Sequence, residues 1–343
     1  MKKAVPVRTM GWIYGFVHFS TEVCCFYFLF SRLAFHPLWW SYALVFDALA
    51  FLPQSLIGMW IDSAKRDRIG VLGGILLLSA LFLPFDIPAL ILLTLGNAMV
   101  HVSGAKHTLC DPQGKITPCS TFVAGGSFGV ITGQLLGSLQ TPSLLWIPVI
   151  CMVLSLALCL YVSLIHPMNR EVPCTFHVNS NKLSPATIVL LACLSTAIRS
   201  YVAYAIPTTW KKDTIHAIYL FCSMGVGKFL GGVLCDRIGY QKTATLSLLI
   251  SLPLLIFGNR LMSVSLIGIG LFSMTMPVSI GILVSVFPKN SGFAFGLTTI
   301  ALFLGVAPAF FLRADSLLVN QILVLILGVS AAVSLKTALK RRC

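Results

Sequence analysis

Long apolar runs, broken by proline, glycine or clusters of charge, recur along the whole chain. Read as helices, they give spans at about 10–31, 38–60, 70–85, 87–105, 119–138 and 143–165 in the first half. The second half gives about 185–206, 214–234, 242–258, 261–284, 291–312 and 316–335. Roughly 20 apolar residues cross a bilayer core, so the third and ninth spans sit near the short limit and have the softest boundaries. The longest polar stretch, "HPMNREVPCTFHVNSNKLSP", falls at the midpoint. The pattern predicts an all-α polytopic membrane protein with twelve transmembrane helices in two six-helix bundles, residues 1–165 and 185–343. A cytoplasmic linker, residues 166–184, joins them. The first run lacks a small-residue cleavage pattern and is expected to stay as a helix.

Composition narrows the class. Of 343 residues, 57% are hydrophobic and only 10% charged, against about 25% charged in a soluble domain. Such a chain cannot cover a water-facing surface, which excludes a soluble enzyme and a disordered protein. No P-loop or H-E-x-x-H appears, so neither catalysis nor a cofactor is expected.

The net charge of +14 reports orientation rather than nucleic-acid binding. Seventeen of the 24 cations fall in one alternating set of inter-span segments, and five in the other: Arg32, Lys211, Lys212, Arg260 and Arg313. That bias predicts cytoplasmic termini in a multi-pass protein of the cell membrane. Eleven cysteines include no C-x-x-C pair and are expected to act as small hydrophobes. No metal site is expected.

An internal repeat is visible. After the second span comes "GMWIDSAKRDRIG", with Gly58 and Asp62; after the eighth comes "GGVLCDRIGYQK", with Gly232, Asp236, Arg237 and Gly239. The aspartates are 174 residues apart, about half the chain, as in a duplicated two-bundle transporter. Here the chain resembles the major facilitator superfamily over nearly its whole length. The motif is G-x-x-x-D-[RK]-x-G; Ser63 stands in its basic position in the first copy. The resemblance implies two rocking bundles latched at these loops, since a carboxylate at a helix end among cations makes charge-assisted bonds.

Further stretches, "LGNAMVHVSGAKHTL", "FVAGGSFGVITGQLLG" and "IRSYVAY", are similar to drug exporters of the fosmidomycin-resistance type. In the fifth span Gly125, Gly129, Gly133 and Gly137 recur every fourth residue, a face that lets another backbone approach. It resembles the glycine-rich fifth helix of superfamily exporters, although Gly126 stands where a proline is often found. Pro53, Pro148, Pro277 and Pro308 are expected to kink helices.

Polar groups inside the spans are the candidate site. A charge at mid-bilayer costs at least ~2.5–3.5 kcal/mol, so each needs a reason. His18 and Glu22 are i and i+4 on the first span, one helical face shared with Tyr14. Glu22 is the candidate proton carrier and Asp47 a second. Asn97 and His101 form a similar stripe on the fourth span, while His107 falls on another face. Arg199 and Lys228 lie in the seventh and eighth spans. Arg199 has no local acid, and Lys228 could reach Asp236 or snorkel to the surface.

The expected function is secondary active transport of a small organic solute, anionic or amphiphilic, by proton-coupled efflux. Small-molecule substrate, protons and the bilayer are the expected partners, with no nucleic acid and a monomeric state. Alternatives are a lipid flippase or nutrient importer of the same fold, or a non-transporting membrane sensor or assembly protein.

Overall fold

The computed structural model describes residues 6–64, 67–165, 174, 176, 183–205, 210, 213–258, 260–311 and 316–339. Most of the central linker, with Lys65, Arg66, Arg170, Lys182, Lys211, Lys212, Arg313 and the terminal cations, lies outside the described residues. The described chain is all-helical. Helices α1 (Val7–Leu33), α2 (Trp39–Ser63), α3 (Ile69–Phe82), α4 (Asp86–Leu109), α5 (Thr117–Ser138) and α6 (Pro142–Ile165) form the first half. The second half has α7 (Pro185–Ala205), α8 (Thr214–Ile238), α9 (Tyr240–Phe257), α10 (Met262–Val286), α11 (Ser291–Phe310) and α12 (Leu317–Ala338).

Eleven of these helices are long and apolar enough to cross a membrane, and the chain is a multi-pass integral membrane protein. The exception is α3, with 14 residues. At 1.5 Å per residue it reaches only about 21 Å. The sequence pattern runs it on to residue 85, but Leu83 is extended and the bend at Pro84 ends the helix.

Proline shapes the helices unevenly. Pro53 marks a break in α2 between Phe51 and Gln54. Pro277 lies just past the break in α10 at Met274, and Pro308 sits in the 3-10 turn that ends α11. Pro148 instead occupies the first turn of the regular part of α6, where its missing N–H costs nothing. Pro253 is inside α9.

Four glycines set the closest contact in the first half. A Cβ at Gly133 would lie 2.6 Å from the Val23 carbonyl oxygen, and one at Gly137 2.7 Å from that of Tyr27. Gly125 and Gly129 meet the carbonyls of Gly15 and Phe19 even more tightly. Both partners step by four residues, so α1 and α5 run in register with backbone against backbone.

The halves meet through two matching pairs, α2 with α11 and α5 with α8. Gly58 packs on the backbone of Gly292, and Gly232 packs on Ser120. Side chains such as Trp60, Ile150, Leu164, Leu249 and Phe257 remain exposed, the outward surface expected where the solvent is lipid.

Candidate functional site

The core of the site is a three-residue cluster between α1 and α4. Glu22 Oε1 lies 3.6 Å from His18 Nε2 and 3.3 Å from His101 Nε2. Asn97 Nδ2 donates to the same oxygen at 3.1 Å. His18, Glu22 and His101 are all buried, and the imidazoles meet edge-on with centroids 4.3 Å apart. Helical periodicity places His18 over Glu22, and close α1–α4 packing supplies His101 from 79 residues further along the chain.

Backbone carbonyls fix the ring tautomers. His18 Nδ1 is 2.9 Å from the Phe122 oxygen, and His101 Nδ1 is 2.9 Å from the Asn97 oxygen. A carbonyl only accepts, so each Nδ1 must donate, and the protonation state is assigned on that basis. In neutral rings both Nε2 lone pairs then point at a carboxylate oxygen. Three acceptors converge with only the Asn97 N–H donated to their shared oxygen, so the cluster can take up a cation.

The donor atoms lie within 4.8 Å of one another, a His–Glu–His spacing that could also hold a metal ion. Lys228 interacts electrostatically with all three residues, and Arg199 with Lys228. Two cations so close oppose a divalent ion more than a proton, so the charge balance favours the proton. Gly126 gives this cluster its room, because a Cβ there would collide with the His18 ring. A larger residue at that position would force the His18 ring to move.

The second half supplies the cations. Lys228 Nζ donates to Ser127 Oγ on α5 at 2.8 Å, so it points across the interface into the protein, away from Asp236 and the surface. Arg199 is buried with Nη2 2.8 Å from Met276 Sδ, while its Nε has no hydrogen-bond partner. A buried guanidinium facing a thioether is poorly satisfied and open to an anion. Helices α1, α4, α7 and α10 thus contribute Glu22, His101, Arg199 and Met276 to one region. Asp47 stands apart on α2, with no hydrogen bond or ion pair to the described residues and only an electrostatic link to Glu22.

The loop motifs form a symmetric pair of latches. Asp62 accepts the backbone N–H groups of Gly292 at 3.1 Å and Phe293 at 2.9 Å, at the start of α11, and pairs with Lys106 at 2.6 Å. Asp236 accepts those of Ile116 and Thr117, both at 2.9 Å, at the start of α5. Each carboxylate occupies the positive end of a helix in the other half. Arg237 is exposed and in no ion pair among the described residues. Gly239, with φ +88°, makes the left-handed turn between α8 and α9.

Two further groups escaped the sequence. Asp67, 2% exposed, accepts from His107 Nε2 at 3.2 Å, from Ser103 Oγ, and from the N–H groups of Ile69 and Gly70 at 3.0 Å each. Burial pushes its pKa up, but the His107, Ser103 and Gly70 bonds outweigh this and hold it below the ordinary carboxylate range. Cys110 and Cys174 place their sulfurs 2.9 Å apart. The bond with Cys174 and the nearby Lys106 hold the Cys110 thiol below its ordinary range, while the same contact and burial hold Cys174 above its own.

No family model matches the sequence, and no curated protein matches it. Among solved structures, a variant of the E. coli fucose:proton symporter FucP aligns with TM-score 0.66 at 13% identity, over 95% of this chain and 97% of its own. FucP described as a major facilitator superfamily transporter in the outward conformation aligns with TM-score 0.66 at 12% identity, over 97% and 98%. At such low identity the likeness is one of architecture, and the chain has the fold of the major facilitator superfamily.

Proposed function

We propose that the chain is a secondary active transporter that moves a small organic anion by alternating access, coupled to protons. The observation that carries this reading is the convergence of His18, Glu22 and His101 on one acceptor site, with the partly buried Lys228 and the buried Arg199 beside it. Residues 1–165 and 185–343 act as the rocking units, with the linker 166–184 and both termini on the cytoplasmic side. Arg199 and Lys228 receive the anion. Glu22 carries the proton, with His18 and His101 orienting it and Asp47 as a second acid along its path.

Electrostatics links the two ligands. An ionised Glu22 repels an incoming anion and offsets the cations; a protonated Glu22 does neither. Proton and anion therefore favour each other's binding, which is co-transport, the coupling for which the fucose:proton symporter FucP is named. Resemblance to drug exporters supports a second reading, proton-driven efflux by exchange. In proteoliposomes offered a panel of organic anions, co-transport predicts uptake stimulated by an alkaline lumen, and exchange predicts uptake stimulated by an acidic one. Glu22→Gln abolishes the response to pH in either case, and Arg199→Gln lowers apparent affinity by about tenfold or more, as expected for loss of a charge-assisted contact. A Glu22→Gln protein with the full pH response would overturn the proposal.

A further inference from the structure

A continuous cleft runs along the seam between α1, α5 and α8. Its deeper part, about 400 Å³, is walled by Trp12, Phe16, Ala124, Phe128, Val226 and Phe229 and is almost wholly apolar. Its outer part, about 900 Å³, opens at the end of the protein that carries the aspartate latches. The two share Trp12, Thr121 and Phe229. From Trp12 to Phe19 the slot follows α1 for seven residues, about 10 Å of helix.

The mouth is basic in effect. Arg8, Lys115 and Arg237 line it, all exposed and none in an ion pair among the described residues. Its two acids are already engaged. Asp236 holds the start of α5, and Asp111 accepts the backbone N–H groups of Gln113 at 3.3 Å and Lys115 at 3.2 Å. Three free cations therefore sit above an apolar slot. Trp12, 62% exposed beside Phe229, stands at the junction where a membrane interface favours tryptophan.

We propose that this cleft binds an anionic phospholipid, its headgroup phosphate among Arg8, Lys115 and Arg237 and one acyl chain in the slot between α1, α5 and α8. Neither half of the cleft suffices alone: a soluble anion leaves the slot empty, and an uncharged lipid leaves the cations unpaired. The lipid sits beside the Asp236 latch and bridges the two halves, so it favours the conformation in which that latch is closed. This inference rests on the membrane setting and is independent of whether the chain transports anything.

The test is native mass spectrometry of the full-length protein, delipidated in detergent and given equal amounts of phosphatidylglycerol and phosphatidylcholine. Phosphatidylglycerol is retained preferentially. In Arg8→Gln/Lys115→Gln its retention falls about 30-fold, each interfacial cation contributing roughly fivefold. Val226→Trp, a change at a half-exposed slot position, reduces retention while leaving the cations intact. Excess glycerol 3-phosphate displaces neither lipid. Equal retention of both lipids, an unchanged preference in the double variant, full retention in Val226→Trp, or displacement by glycerol 3-phosphate would each overturn the proposal.

Discussion

At residue scale, Asp67 shows how a buried charge can hold a structure together without belonging to the Glu22 cluster. Its oxygens are surrounded by His107, Ser103 and two backbone N–H groups. Removing one partner of a buried pair leaves the others unsatisfied and typically costs about 3–5 kcal/mol. Asp67→Ala should therefore lower thermal stability in detergent far more than Asp67→Asn, which keeps an acceptor. Because folding depresses this carboxyl, its contribution is fully present above the unfolded value near 3.9. It is lost as pH falls through the lower folded value. Melting curves taken below pH 4 should show wild type losing stability and Asp67→Ala losing less, and parallel curves would refute this. The same contrast marks what could be read beforehand. His18 and Glu22 share a helical face four residues apart, so their pairing was legible. His107 and Asp67 are 40 residues apart in different elements, and only the packing of α4 against the α2–α3 turn joins them. In the sequence Asp67 is one acid in a cationic stretch, with nothing local to mark it.

At element scale, twelve helices follow from hydrophobic run length, because in lipid every backbone group must be satisfied within its own helix. Their ends are set by local breaks, hence the short α3 and the divided α2 and α10. The glycine period in α5 announced a close contact but not its partner, since a stripe of small residues fits any backbone. The structure gives α1, with carbonyls at Gly15, Phe19, Val23 and Tyr27 meeting Gly125, Gly129, Gly133 and Gly137 in turn. No flexible side chain can yield there. Gly133→Val should force the helices apart at a cost of about 1–3 kcal/mol, the usual range for overpacking. It should also displace His18 and Glu22, which ride on α1 between these contacts. A thermal melt that does not shift would show that α1 and α5 separate freely.

At the scale of the whole molecule, the two latches make one mechanical statement. Asp62 binds the start of α11 and Asp236 the start of α5, so each half grips a helix N-terminus of the other at the same end. Sequence alone could place the two aspartates 174 residues apart, but not the N–H groups that they meet, since backbone donors leave no trace in composition. A charge-assisted hydrogen bond contributes about 1.5–3 kcal/mol. Asp236→Asn keeps an acceptor and loses the charge, so the closed state should lose about 1.4 kcal/mol, a tenfold shift toward opening. Ser120 reports this directly. It is fully buried and faces Gly232 across the α5–α8 seam, reachable only when the halves part. In a Ser120→Cys protein, maleimide labelling at that position should rise about tenfold on adding Asp236→Asn. Asp62→Asn, on the other seam and well separated, should add a comparable factor if opening is a single rigid movement of one half against the other. Were the latches local loop clasps instead, Asp62→Asn would leave labelling at position 120 unchanged, because nothing would carry its loss from α11 to α5.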